Sequence, residues 1–458
     1  MRIDRLCAYL SRLVLTATAY KAKLLCSGIF VSGRNEASLL KEDLSVGGLA
    51  LLRSLTSKVD YDNKTVTVSC FGAFKRTALY RPGLGSTLVL GSTVEALQVQ
   101  AAPFYAWQAQ NPRKKSSLPI GKESPQEIDK AQLAQVIINA FENRTSRTSA
   151  IVVLYKGEMI AERYAAGFSS ETPLLGWSMA KSVVNALVGV LVKDGKLSLE
   201  SKGLLPEWRS AEDPRREITL DQLLKMSSGL QFSEQYANPL SDIITMLFHT
   251  GEGAAYTARQ PLQNTPGSTF HYSGGSTVLL CRIIREAIGG SLADYFSFPQ
   301  RALFDRLGMA SAVIEPDAAG TFVGSSFLYA TARDWAKFGL LYLQDGCWDF
   351  GYAQSPKWTR ILPEGWVAYS TAPSETAEFY GAHFWRGVPN SFTDSDRSRD
   401  DSWPKDAYLA AGYQGQFVTV VPSRDLVVVR LGRSHKRNSW DQVKFIAQVT
   451  DLVKPPVK

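Results

Sequence analysis

The chain has 458 residues and 45% hydrophobic content, enough for one large or two ordinary domains with a real core, which excludes a disordered chain. Its formal charge of +8 is modest, and Lys and Arg do not cluster with aromatics on one element, which argues against nucleic acid as a partner. Five widely spaced cysteines exclude a disulfide framework, leaving at most one pair, Cys26 with Cys70, and four histidines without an HxH or HExxH pattern argue against a zinc hydrolase.

At the N terminus, Arg2 and Arg5 precede an apolar run, and Ala17-Thr18-Ala19 resembles the small-residue end of a secretory signal. Arg12, Lys21 and Lys23 interrupt the roughly 20 apolar residues that a bilayer span needs. Two readings stand side by side: an export signal or degenerate membrane anchor, and an ordinary basic amphipathic helix. A periplasmic or membrane-associated location is favoured slightly over a cytoplasmic one, with membrane association through this segment. Thr65–Cys70, Ala73–Tyr80 and Leu88-Val89-Leu90 read as short strands between Gly and Pro turns. Residues 1–107 thus form an N-terminal extension, and 108–127, with Arg113-Lys114-Lys115 and Pro119, a linker.

Residues 128–454 form the main domain. Ile128 to Asn143 is periodic as an amphipathic helix, and Ala150–Tyr155 with Met159–Tyr164 reads as a hairpin. A helix apolar almost all round opens at Ser178 and stops before Gly195. Residues 201–350 read as mainly helical, with loops at Met226–Gly229, Pro261–Gly267 and Ser325–Arg333. Gln416–Val421 and Leu426–Leu431 make a second hairpin, and Ser439 with Gln442 gives a capping box for a closing helix. Helix–hairpin at one end and hairpin–helix at the other predict one antiparallel sheet completed by both ends, an α+β architecture with a mainly helical second lobe.

Ser178-Met179-Ala180-Lys181 carries the chemistry. Serine and lysine at i and i+3 share one face of the helix, and burial lowers a lysine's proton affinity, so that it can act as a base toward the hydroxyl. Ser38-Leu39-Leu40-Lys41 has the same spacing, but Glu42 and Asp43 follow it, as in a solvated stretch. Downstream, Phe270-His271-Tyr272-Ser273-Gly274 places a phenol before a helix predicted over Ser276–Ala287, suited to move a proton to a leaving group. Ala411-Gly412-Tyr413 enters the terminal hairpin, where glycine lets a substrate approach the backbone and the strand offer an N–H.

Together, Ser178-x-x-Lys181, Tyr272-Ser273-Gly274 and Ala410-Ala411-Gly412, in that order, resemble the serine β-lactamase and penicillin-binding-protein superfamily, and its class C-like branch in particular. Leu223–Leu230, Tyr329–Asp334 and Gly415-Gln416-Phe417 add to the likeness, which runs from Ile128 to Val453. It is strongest toward 6-aminohexanoate-dimer hydrolases and carboxylesterase-like members. The resemblance implies a β-lactamase/transpeptidase-like fold and a cofactor-free, metal-free serine hydrolase that cuts small amides or esters through an acyl-enzyme. Ser178 would be the nucleophile, Lys181 the base, Tyr272 the proton shuttle, and the Ser178 and Tyr413 N–H groups the oxyanion hole. Tyr236, Trp177 and Gly412 would line the substrate, with loops 229–239 and 380–390 shaping the pocket. Gly274 and Ala410 stand where lactamases carry an amide and a lysine or histidine, which argues against efficient penicillin hydrolysis. The rival readings are a penicillin-binding or D-amino-acid peptidase acting on cell-wall peptides and a catalytically idle, membrane-associated scaffold.

Overall fold

The structure is a computed structural model that describes residues 3–44, 52–118, 128–349, 358–389, 401–434 and 439–453. In chain order the elements used below are α1 (Ile3–Phe30), α2 (Glu36–Glu42), β1 (Thr56–Asp60), β2 (Thr65–Cys70), β3 (Ala73–Arg81), β4 (Gly85–Leu88) and α3 (Val94–Gln110). There follow α4 (Lys130–Glu142), β5 (Thr148–Tyr155), β6 (Glu158–Tyr164), α5 (Ala180–Lys193), α6 (Leu220–Leu224), α7 (Asp242–Phe248), α8 (Gly253–Ala258) and α9 (Gly274–Ile288). The chain closes with α10 (Ala332–Leu343), β7 (Tyr408–Gly412), β8 (Gln416–Val421), β9 (Leu426–Gly432) and α11 (Gln442–Asp451).

Contacts divide the chain into two units: 1–112 with 196–298 and 313–327, and 113–195 with 299–312 and 328–458. Residues 1–107 are therefore not a body apart, because they share the first unit with the helical segment 196–298. Nor is 108–127 a plain linker. Residues 108–110 end α3, Arg113 Nη1 donates to Ala310 O, and the Ser116 N–H donates to Gly308 O at 3.4 Å. Pro119 and the rest of that segment to 127, Asn390, and residue 454 lie outside the described residues.

The second unit holds a five-stranded antiparallel sheet of order β7-β8-β9-β5-β6, so both ends of the predicted domain do complete one sheet. β5 and β9 are buried along their whole length, which is why their sequences are continuous Val/Ile/Leu runs rather than alternating ones. One face packs Ile151, Val153 and Val428 against Leu133 and Ile137 of α4 and Val443 and Ile446 of α11. On the opposite face α10 comes so close that a Cβ on Gly339 would lie 2.6 Å from Val427 Cγ1. The cap of α11 is Asp441, which accepts from the Lys444 N–H at 3.0 Å. Ser439 is not the cap, and Gln442 completes no capping box, because its Oε1 accepts from Trp440 Nε1 and its Nε2 donates to Thr419 Oγ1.

In the first unit β1–β4 form a meander, with the last strand at Gly85–Leu88 rather than 88–90. α1 runs along it in the direction of β3: Cys26 Sγ lies 3.7 Å from Ala78 O, and one turn later Phe30 stacks on Tyr80. Lys21 and Lys23 do not interrupt this helix; both are buried, and Lys21 Nζ donates to Leu52 O. Lys23 pairs with Glu315 at 2.5 Å, and Glu315 also accepts from Ser27 Oγ and the Ser86 N–H. By length and apolar content Cys7–Phe30 could cross a membrane, yet half of it is buried in this unit. All five cysteines, Cys26 and Cys70 included, are free.

Candidate active site

Ser178 stands in the tight turn Trp177–Met179 that leads into α5. Gly176 anchors the turn: its N–H donates to Leu328 O at 2.8 Å, and its carbonyl accepts from the Met179 N–H at 3.2 Å. Trp177 is held at φ +49°, a left-handed conformation that costs a side-chain-bearing residue about 1–3 kcal/mol and persists where packing over-determines it. Its indole is buried and meets the Tyr413 ring edge-on at 5.5 Å. One turn later Lys181 Nζ donates to Ser178 Oγ at 3.1 Å. Every residue from Ala180 to Leu191 is buried, so this lysine lies in the core, whereas Lys41 of the other Ser-x-x-Lys is exposed on α2. The predicted helix start moves by two residues, because the serine belongs to the turn rather than the helix.

β7 brings Gly412 to the same place. A Cβ at Gly412 would fall 2.1 Å from Gly176 O and 3.2 Å from Ser178 N. The glycine is needed because two backbones touch, not only to admit a substrate. Ala410, buried and paired with Val418, offers no side-chain function at the lysine or histidine position of lactamases.

His383 escapes sequence reasoning. It is buried, and both desolvation and the charge of Lys181 hold its imidazole well below the usual histidine range. Its backbone, at φ +61°, is pinned from α5: Ser182 Oγ donates to His383 O at 2.6 Å, and Asn185 Nδ2 donates to Ala382 O at 2.9 Å. Asn185 Oδ1 in turn accepts from Tyr342 Oη at 2.5 Å and Trp366 Nε1 at 3.0 Å. The signal was Ser182 and Asn185 themselves, since polar residues in a wholly buried helix must find partners.

Tyr272 and Tyr236 belong to the first unit. The turn carrying Tyr272 is fixed on both sides, by His271 N–H donating to Met226 O at 2.7 Å and by Ser273 Oγ accepting from Ser276 N–H at 3.2 Å. The helix after it starts at Gly274, two residues ahead of expectation, because Ser273 is its cap. Glu234 was also missed. Its Oε2 accepts from the Gly274 N–H at 2.8 Å and its Oε1 from Tyr236 Oη at 2.9 Å. A Cβ at Gly274 would lie 2.8 Å from Ile243 Cδ1 and 3.3 Å from Glu234 Oε1, so the space a larger side chain would take is filled. Tyr236 itself is half exposed. Among the described residues no three His, Cys, Asp or Glu side chains gather as a metal site.

The sequence profile of the Beta-lactamase family matches residues 133–448. The chain belongs to the beta-lactamase family. It is a hydrolase of that family, and it is 24% identical over 300 residues to the 6-aminohexanoate-dimer hydrolase of Paenarthrobacter ureafaciens, covering 62% of this chain and 72% of that protein. Two solved structures share its fold. The beta-lactamase/D-alanine carboxypeptidase of Pseudomonas syringae has a TM-score of 0.53 at 14% identity, over 71% of this chain and 100% of that one. A family VIII carboxylesterase has a TM-score of 0.52 at 14% identity, over 71% and 96%.

Proposed function

We propose that this family member cuts small amide or ester substrates through an acyl-enzyme on Ser178. The observation that carries the reading is the 3.1 Å contact of Lys181 Nζ with Ser178 Oγ in a buried first turn. Lys181 takes the hydroxyl proton as Ser178 Oγ bonds to the carbonyl carbon. The Ser178 and Tyr413 N–H groups hold the oxyanion, in keeping with Gly412 lying against Ser178 N. Tyr272 gives its proton to the departing amine or alcohol and regains one from Lys181. Water then bonds to the acyl carbon as it gives its proton to the same groups, the bond from that carbon to Ser178 Oγ breaks, and the proton passes to Ser178 Oγ as the acid leaves. Trp177 and Tyr236 line the substrate, and no cofactor enters these steps.

The hydrolase name of the Paenarthrobacter relative supports an amide substrate, and the carboxylesterase fold neighbour fits esters equally. Ser178→Ala is expected to lower turnover of p-nitrophenyl esters by about 10³-fold or more, with an unchanged melting curve. Full turnover in that variant would sink the proposal. A fluorophosphonate probe should label Ser178 in the folded protein. No labelling would favour an idle scaffold, and stable labelling by fluorescent penicillin a cell-wall peptidase.

A further inference from the structure

One end of the first unit gathers several exposed apolar side chains. β2 and β3 are joined by the two-residue turn Phe71-Gly72, in which both residues have positive φ, +49° and +73°. Such turns favour Asn or Asp before the glycine, because a phenylalanine pays for the left-handed backbone. Phe71 gains nothing in the unit to offset this, being fully exposed at the apex, and Phe74, also at positive φ, is exposed beside it.

The opening turns of α1 lie at the same end. α1 runs in the same direction as β3, with Cys26 at Ala78 and Phe30 at Tyr80, so its first turns lie toward the Phe71-Gly72 turn; there Thr16 Oγ1 shares a 2.7 Å hydrogen bond with His249, whose proton affinity burial and the charges of Arg12 and Arg76 lower. Arg12 Nε donates to Pro239 O at 2.9 Å, which brings Leu240 to this end as well. Phe74, Leu10, Leu13 and Leu240 are 42–55% exposed. Arg12, Lys75 and Arg76 supply positive charge between them, and Lys75 is open to solvent. Apolar tips among cations fit a soft anionic surface better than a shaped protein pocket. The later half of α1 is not available to lipid, because Lys21, Lys23 and Cys26 are buried in the unit.

We propose that this end, the Phe71–Phe74 hairpin tip with the opening turns of α1, docks onto the headgroup region of an anionic lipid bilayer without crossing it. The full chain should co-sediment with phosphatidylcholine vesicles containing phosphatidylserine, and bind phosphatidylcholine alone and high salt poorly. The double variant Phe71→Ser/Phe74→Ser, both positions being solvent-facing, should bind such vesicles about tenfold or more weakly while hydrolysing a soluble ester at the parental rate. Phe71→Trp should shift its emission to the blue on adding the same vesicles, which reads the hairpin even if the double variant folds poorly. Absence of vesicle binding, or no emission shift at position 71, overturns the proposal. Binding that survives both serines and resists carbonate extraction overturns it in favour of a spanning helix.

Discussion

Gly412 and His249 show single positions set by what lies next to them. Alanine at Gly412 would put a methyl group 2.1 Å from Gly176 O, so either β7 or the Trp177–Met179 turn must move. Since about 1 Å of misplacement at a reacting group can cost 10²-fold, Gly412→Ala should lower kcat on a small ester by about that factor. Steady-state kinetics with a melting curve checks this; parental kcat would show that the backbone approach does not matter. The sequence pointed to Gly412 through its place before a strand, but the atom it makes room for comes from residue 176 and has no local signature. His249, which shares a 2.7 Å hydrogen bond with Thr16 Oγ1, has its pKa pushed down to about 4 by burial and by Arg12 and Arg76. The unfolded chain binds this proton near 6.5, so it holds more protons than the native state between those values. Stability is thus intact above about pH 6.5 and declines as the pH falls toward 4. Chemical denaturation across that range should show the slope, and His249→Gln should flatten it.

At the level of elements, the closing helix is capped by Asp441 and not by Ser439, to which the capping-box spacing pointed. Asp441→Ala should cost about 1 kcal/mol of stability and Ser439→Ala almost nothing, measured by urea unfolding. Equal losses would contradict the cap assignment. The serine misled because a capping-box spacing ignores competing partners, and Gln442 spends its amide on Trp440 and Thr419. The β8 boundaries were readable to the residue because an apolar run there ends at a Pro-Ser-Arg turn. In the meander β2 was also readable to the residue and β3 to within one, whereas β1 and the bounds of β4 were not, because the meander's core partner is a helix carrying Lys21 and Lys23, which hydropathy places outside. In the site, Ser178 and Lys181 were legible from i, i+3 spacing on an apolar helix. His383 and Glu234 were not, because each is defined by residues far along the chain.

Across the whole molecule, the stretch matched by the family leans on residues that precede it. The Glu315 carboxylate lies inside the matched stretch, while Lys23, Ser27 and the Ser86 N–H that satisfy it lie well before residue 133. Lys23→Met leaves that carboxylate buried without its cation, a loss of about 3–5 kcal/mol. Differential scanning calorimetry should register it, and a melting temperature within a degree or so of the parent would show the ion pair to be dispensable. Deleting residues 1–112 removes all three partners at once and should abolish cooperative unfolding, as followed by circular dichroism.

The same ion pair also sets a timetable for synthesis. Lys23 and Glu315 are 292 residues apart in the chain. At about 5–20 residues per second, a ribosome takes roughly 15–60 s to deliver the carboxylate after the lysine. For that interval α1 and the strands it packs on are already made while Lys23 still lacks its carboxylate, so the nascent first unit stays incomplete, and open to chaperones, until residue 315 arrives.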